Sequence, residues 1–82
     1  MTTDQFKKFL NIELKSYVKD YISCEVNNNT LIVEFYHLSN LSYVYVNENI
    51  NDVIAKGTTP TELANKIYNI YKGVILYRHF NK

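Results

Sequence analysis

The chain has one cysteine, one proline, two glycines and no tryptophan among 82 residues. A lone Cys24 closes no intramolecular disulfide, which excludes a disulfide-stapled secreted scaffold and makes a reducing, cytoplasmic setting the expectation. Gly57 and Gly73 are too few to write a P-loop or a dinucleotide fingerprint. Cys24, His37 and His79 stand apart and form no C-x-x-C or H-x-x-x-H unit, so neither a metal nor another cofactor is expected. Nine basic side chains against eight acidic ones give a formal charge of +1. That balance provides neither a polybasic nucleic-acid coat nor an acidic DNA-mimic surface. Uninterrupted apolar runs stop at four residues, as in Tyr43–Val46 and Val74–Tyr77, whereas a spanning helix needs about 20. The first residues carry Asp4 where an export signal would be basic, and no apolar leader region follows. The expectation is therefore a chain that neither crosses a membrane nor is exported.

What is present fits one small domain over residues 1–82. A chain of this length buries only about 60–65% of its unfolded surface, so packing quality or a partner must supply stability. Asn, Lys, Ile and Tyr make up 35 of the 82 residues, and lysine outnumbers arginine eight to one. In this composition the chain resembles accessory proteins of low-GC bacteria and their phages.

The apolar pattern predicts an α+β fold. Phe6, Leu10, Leu14, Tyr17, Val18 and Tyr21 recur every three or four residues, the stripe of an amphipathic helix from Thr3 to about Asp20. Thr2 or Thr3 can cap it, and Asp4 complements the dipole in its first turn. The period then becomes two: Ile22, Cys24 and Val26, next Leu31, Val33 and Phe35, next Val44 and Val46, each set alternating with residues of a second face. A two-residue turn at Asn28-Asn29 aligns Val26 with Leu31, Cys24 with Val33 and Ile22 with Phe35. A second turn at Ser39-Asn40 aligns Phe35 with Val44 and Val33 with Val46. The expected sheet is a three-stranded antiparallel meander of order 1-2-3. Asn49 or Asn51 can open a short connecting helix that ends at Gly57 in left-handed conformation. Thr59-Pro60-Thr61-Glu62 has the form of a capping box with proline at the first helical position. A long C-terminal helix follows, with Leu63, Ala64, Ile67, Ile70, Tyr71 and Val74 as its apolar stripe, running to about His79 and loosened at Gly73.

Candidate sites come from what this pattern leaves outside the core. The second sheet face collects Tyr21, Ser23, Glu25, Ile32, Glu34, Tyr36, Tyr43 and Tyr45, with Tyr36 expected opposite Tyr43 and Glu34 opposite Tyr45. Tyrosine supplies wide contact area at low rotamer cost, which makes Ile32, Glu34, Tyr36, Tyr43 and Tyr45 the candidate partner-binding set. Cross-strand stabilisation and coverage by a helix are the competing explanations for the same residues. Lys8, Lys15 and Lys19 form a narrow stripe on helix 1, which is a candidate phosphate-contacting face or an ordinary solvated one. His37 ends strand 2 on the core face, expected opposite Ser42, where it serves as a general base or as a cap. With no second acid or base placeable beside it, capping is favoured. Cys24, between Ile22 and Val26, is expected to pack as a small hydrophobe. Phe9 and Ile12 on helix 1, and Leu76 with Phe80 on the last helix, lie off the main stripes and are compatible with a homodimer.

Asp52–Gly57 with Thr59–Ala64 resembles the first helix, turn and second-helix opening of helix-turn-helix motifs. The stripe through Ile67, Ile70, Tyr71 and Val74 leaves no second break where that family needs one. In element order the chain is also similar to double-stranded-RNA-binding domains, but Pro60, Thr61 and Glu62 stand where their lysines would be. It is similar in element order alone to small anti-CRISPR inhibitors. The sequence therefore favours a small non-enzymatic binder of a host or defence protein, carried by a phage or mobile element. A nucleic-acid-binding regulator using the helix 1 lysines is the alternative, and a small toxin-type nuclease using His37 is third.

Overall fold

The computed structural model describes residues 1–37 and 39–80, with the side chains of Tyr17 and residues 74–80 left aside. Its order is α1 (Thr3–Tyr17), β1 (Tyr21–Asn27), β2 (Thr30–His37), β3 (Asn40–Asn49), α2 (Ile50–Ala55) and α3 (Pro60–Phe80). The strands form one antiparallel sheet of order β1-β2-β3, so the α+β meander read from periodicity is the fold.

Local chemistry sets the element ends. The Thr2 hydroxyl accepts from the Gln5 amide while the Gln5 side chain accepts from the Thr2 amide, a reciprocal box that starts α1. The helix stops at Tyr17, three residues before the expected Asp20. Val18 turns extended while its N–H still reaches the Leu14 carbonyl, and Lys19 and Asp20 form the turn into β1. Thr59 and Glu62 form the expected box at the start of α3. Asn49 caps α2 by accepting from the Asn51 amide. Gly57, at φ +83°, ends that short helix in the left-handed region, which a side chain resists. The α3 helix continues unbroken past Tyr68 and Asn69, so the second turn of a helix-turn-helix is absent.

The second hairpin keeps its expected inside face and the first keeps it from Cys24 onward, but each changes partners. In the first, Asn28 and Asn29 take φ of 52° and 64°, and Val26 meets Leu31 and Cys24 meets Val33 as anticipated. A bulge between Tyr21 and Ser23 then shifts the register, so Phe35 faces Tyr21 rather than Ile22. Ile22 is exposed as a result, while Tyr21 turns from the expected outer face to pack edge-on against Phe35 at 6.2 Å. In the second hairpin the pairing moves by two residues. His37 meets Asn40, Phe35 meets Ser42, Val33 meets Val44 and Leu31 meets Val46, so Phe35 does not face Val44 and Val33 does not face Val46. Alternation cannot separate registers that differ by two, since both keep every side chain on its face. The pairing of His37 with Asn40, with Ser39 at φ 66°, decides between them.

The core lies between one sheet face and the helices. Phe6, Leu10 and Leu14 from α1, Leu31, Val33 and Phe35 from β2, Ile50 and Val53 from α2, and Leu63, Ala64, Ile67 and Tyr71 from α3 are buried together. Cys24 is buried among them as a small apolar group, and Val26 is only partly buried. Ile70, expected on the apolar stripe of α3, is exposed. No helix among the described residues is long and apolar enough to cross a membrane.

Candidate interaction face and the Asp20–His37–Tyr71 cluster

The sheet face opposite the core is the first candidate site. Corrected for register, Tyr43 lies opposite Glu34, Tyr45 opposite Ile32, and Tyr36 opposite Leu41. Tyr36 therefore does not face Tyr43, and Glu34 does not face Tyr45. Tyr36, Tyr43 and Tyr45 are 51%, 48% and 57% exposed, and Leu41 is 46% exposed, so no described helix crosses to cover them. Ile32 and Glu34, between them on the middle strand, are half-buried by their neighbours. The Tyr43 and Tyr45 rings lie 6.5 Å apart and tilted by 37°. A half-exposed ring still has surface to lose on contact with a partner, and its hydroxyl can remain hydrogen-bonded at the rim.

A second arrangement joins residues that the sequence separates. His37 Nδ1 lies 2.8 Å from Asp20 Oδ2, and the Tyr71 hydroxyl donates to the same oxygen at 2.7 Å. Tyr71 is buried and its ring stacks on Phe35 at 4.0 Å and 12°. The Asp20 carbonyl also accepts from the Tyr36 amide at 2.8 Å. An acid does therefore stand beside His37, contrary to the expectation from sequence. His37 pairs with Asn40, not Ser42. The cluster ties the α1–β1 turn, the end of β2 and α3 to one carboxylate. Chemically it fixes an imidazole through its Nδ1, the way a carboxylate orients a general base. Asp20 was hard to anticipate because it looks like the last turn of a helix, 17 residues from His37 and 51 from Tyr71.

The lysine stripe is divided by the fold. Lys8 and Lys15 border a depression of about 520 Å³ between α1 and β1, with Lys7, Asn11, Ile22 and Ser23 nearby, while Lys19 is exposed in the α1–β1 turn and does not line it. Lys7 pairs with Glu25 at 3.5 Å, and Asp4 also lines the depression, so its charge is mixed. Cys24 lies against the Lys7 carbonyl at the inner side, and burial pushes its thiol above the ordinary range. Burial likewise raises the Tyr21 phenol, whose hydroxyl donates to the Asn11 side chain. Phe9 and Ile12 are exposed, and with Met1, Pro60 and Thr61 they edge a small groove between α1 and α3. The Leu76 and Phe80 side chains lie outside the described set. No group of three or more His, Cys, Asp or Glu side chains able to hold a metal occurs among the described residues. No protein-family model, curated protein or solved structure matches the chain.

Proposed function

We propose that this chain is a non-enzymatic protein-binding module that works by occluding or bridging a partner through the outer sheet face, with Tyr36, Tyr43 and Tyr45 as anchors around Ile32 and Glu34. Its size and composition suit the inhibitor-type accessory factors that phages and mobile elements direct at host or defence proteins. The observation that carries the reading is the exposure of three tyrosine rings on one uncovered sheet face with Leu41 beside them. Burying them would remove a largely apolar surface from water, and a partner would have to match the Glu34 carboxylate that lies among the rings. The test is affinity capture from a low-GC bacterial lysate, identification of the retained protein, and measurement of binding with both proteins purified. A Tyr43→Ala/Tyr45→Ala variant should lose most of the affinity while keeping its circular dichroism. Capture of nothing by the wild type, or equal affinity in the variant, overturns the reading.

A second reading, a nucleic-acid-binding regulator, draws on Lys8 and Lys15 sharing the α1–β1 depression. With Lys19 as a third phosphate contact, log K should fall with log salt at a slope of about −2 to −3. Fluorescence polarisation with DNA and RNA oligonucleotides over a salt series decides it, and absence of binding at low salt removes it.

A further inference from the structure

A three-stranded sheet has two open edges, and this protein treats them differently. In an antiparallel ladder each residue directs its N–H and C=O either toward its neighbour strand or away from it, in alternation. The two-residue turn after Asn27 makes Asn27 and Thr30 a hydrogen-bonded pair, so Ser23 and Glu25 also bond toward β2, leaving Cys24 and Val26 directed outward. On the other side His37 and Asn40 close the second turn, so Ser42, Val44 and Val46 bond toward β2. Leu41, Tyr43 and Tyr45 then direct their backbone groups away from the sheet. Among the described residues, no hydrogen bond from another element reaches the backbone of these three.

The β1 edge carries the devices that discourage pairing: a bulge at Ile22, Glu25 on the strand, and Lys7, Lys8 and Lys15 alongside. From Leu41 to Val46 the β3 edge carries none of them; its irregularity and Glu48 lie beyond Val46. Residues 41–47 read Leu-Ser-Tyr-Val-Tyr-Val-Asn, without charge or proline, and the ladder runs regularly from Asn40 to Val46 before its one irregularity. The geometry points to β3 as an assembly edge on which a second copy of this chain adds its own β3, antiparallel, about a two-fold axis through Val44. This inference is independent of the partner-binding reading.

A copy is the occupant that the charges favour. Antiparallel self-pairing brings a strand's residues close to their own duplicates, which repels if the strand is charged at its centre. Centred on Val44, the uncharged run 41–47 faces itself. Glu48 then meets Asn40 of the second copy rather than another carboxylate, and Lys56 and Lys66 already hold Glu48. Tyr43 faces Tyr45 of the second copy on the outer side, with Val44 against Val44 of the second copy on the core side. The result is a six-stranded sheet with both tyrosine sets on one face and all helices on the other.

Sedimentation velocity over a concentration series should show a species at twice 9.7 kDa. In Tyr43→Lys/Tyr45→Lys both pairs flanking the central Val44 become lysine against lysine, and the apparent mass should halve. Should that variant fail to fold, Tyr43→Cys and Tyr45→Cys, each in a Cys24→Ala background, should cross-link on oxidation when mixed, in preference to either alone. Ile32→Asp, on the middle strand, should leave the dimer intact while altering the outer face, which separates this inference from the proposed partner site. A wild type monomeric at every concentration, a lysine variant that still dimerises, or cross-linking of Tyr43→Cys alone in preference to the mixture overturns the proposal.

Discussion

Val33 and Ile32 are neighbours on the central strand whose side chains point to opposite faces, so truncating each to alanine measures the two faces separately. Val33 is fully buried among helix and strand side chains, whereas Ile32 is only half-buried beside Tyr45 and Glu25. Removing two methyl groups at 33 forfeits about 1.6 kcal/mol of transfer free energy. The cavity left between sheet and helices, where packing from both sides limits collapse, brings the loss to about 2–3 kcal/mol. A domain of this size has a total stability of roughly 4–12 kcal/mol, so that loss is a large fraction of it. Ile32→Ala removes more carbon but from a surface that already touches water, and should cost about 1 kcal/mol or less. Equilibrium urea unfolding of both variants, with the slope checked against wild type, reads the difference as a shift in midpoint. Equal losses at 32 and 33 would show that the outer face is as buried as the core, and the tyrosine surface would then be interior rather than available to a partner.

Tyr71→Phe keeps the stack on Phe35 but removes the hydroxyl that donates to Asp20, and should cost about 1–2 kcal/mol. A double-mutant cycle with His37→Ala should be non-additive, because both groups meet on one carboxylate oxygen; strict additivity would refute the shared anchor. Any slowing of growth on expression in a bacterial host should persist in His37→Ala, and an arrest relieved by that substitution would move the function to the Asp20–His37 pair. Burial holds the Cys24 thiol protonated beyond its usual range, so a thiol reagent should react with it far more slowly in the native than in the urea-unfolded chain. The folded state keeps this proton more tightly, and the stability it contributes should fall as pH rises through the thiol range. Lys56, which hydrogen-bonds and attracts Glu48, holds that carboxyl below the ordinary range, with Lys66 adding to it. The contribution of Glu48 should be present above the unfolded carboxylate pKa and be lost as pH falls through the lower folded value, so Glu48→Gln should flatten the acid limb of a stability–pH curve.

Much of the fold is legible because independent signals coincide. The Thr59–Glu62 box, the Asn28-Asn29 turn and Gly57 each name a boundary through their own backbone chemistry, and the structure places boundaries at all three. Periodicity also assigns faces correctly from Cys24 through Val46. It fails at two kinds of place. A bulge adds a residue without altering composition, so nothing in Tyr21-Ile22-Ser23 announces that Tyr21 turns inward and Ile22 outward. A register shift of two changes every cross-strand partner and no face, so pairs such as Tyr36 with Tyr43 were beyond alternation alone.

The same distinction governs the sites. The tyrosine face depends only on which side each residue occupies, and that property survives a two-residue slip, so Tyr36, Tyr43 and Tyr45 share the outer face although their partners changed. The Asp20 cluster depends on where three chain segments end in space. Ending α1 at Tyr17 frees Asp20 for the turn, and the bulge at Ile22 lets Tyr21 rather than Ile22 meet Phe35. Phe35 in turn carries the Tyr71 ring whose hydroxyl reaches Asp20. The early helix end and the bulge, the two features that periodicity misses, thus act at the same end of the sheet, and there they gather one carboxylate, one imidazole and one phenol. A two-residue register shift leaves a face intact, whereas a one-residue irregularity creates a cluster, and this is why composition and alternation locate the first candidate site and only the folded chain reveals the second.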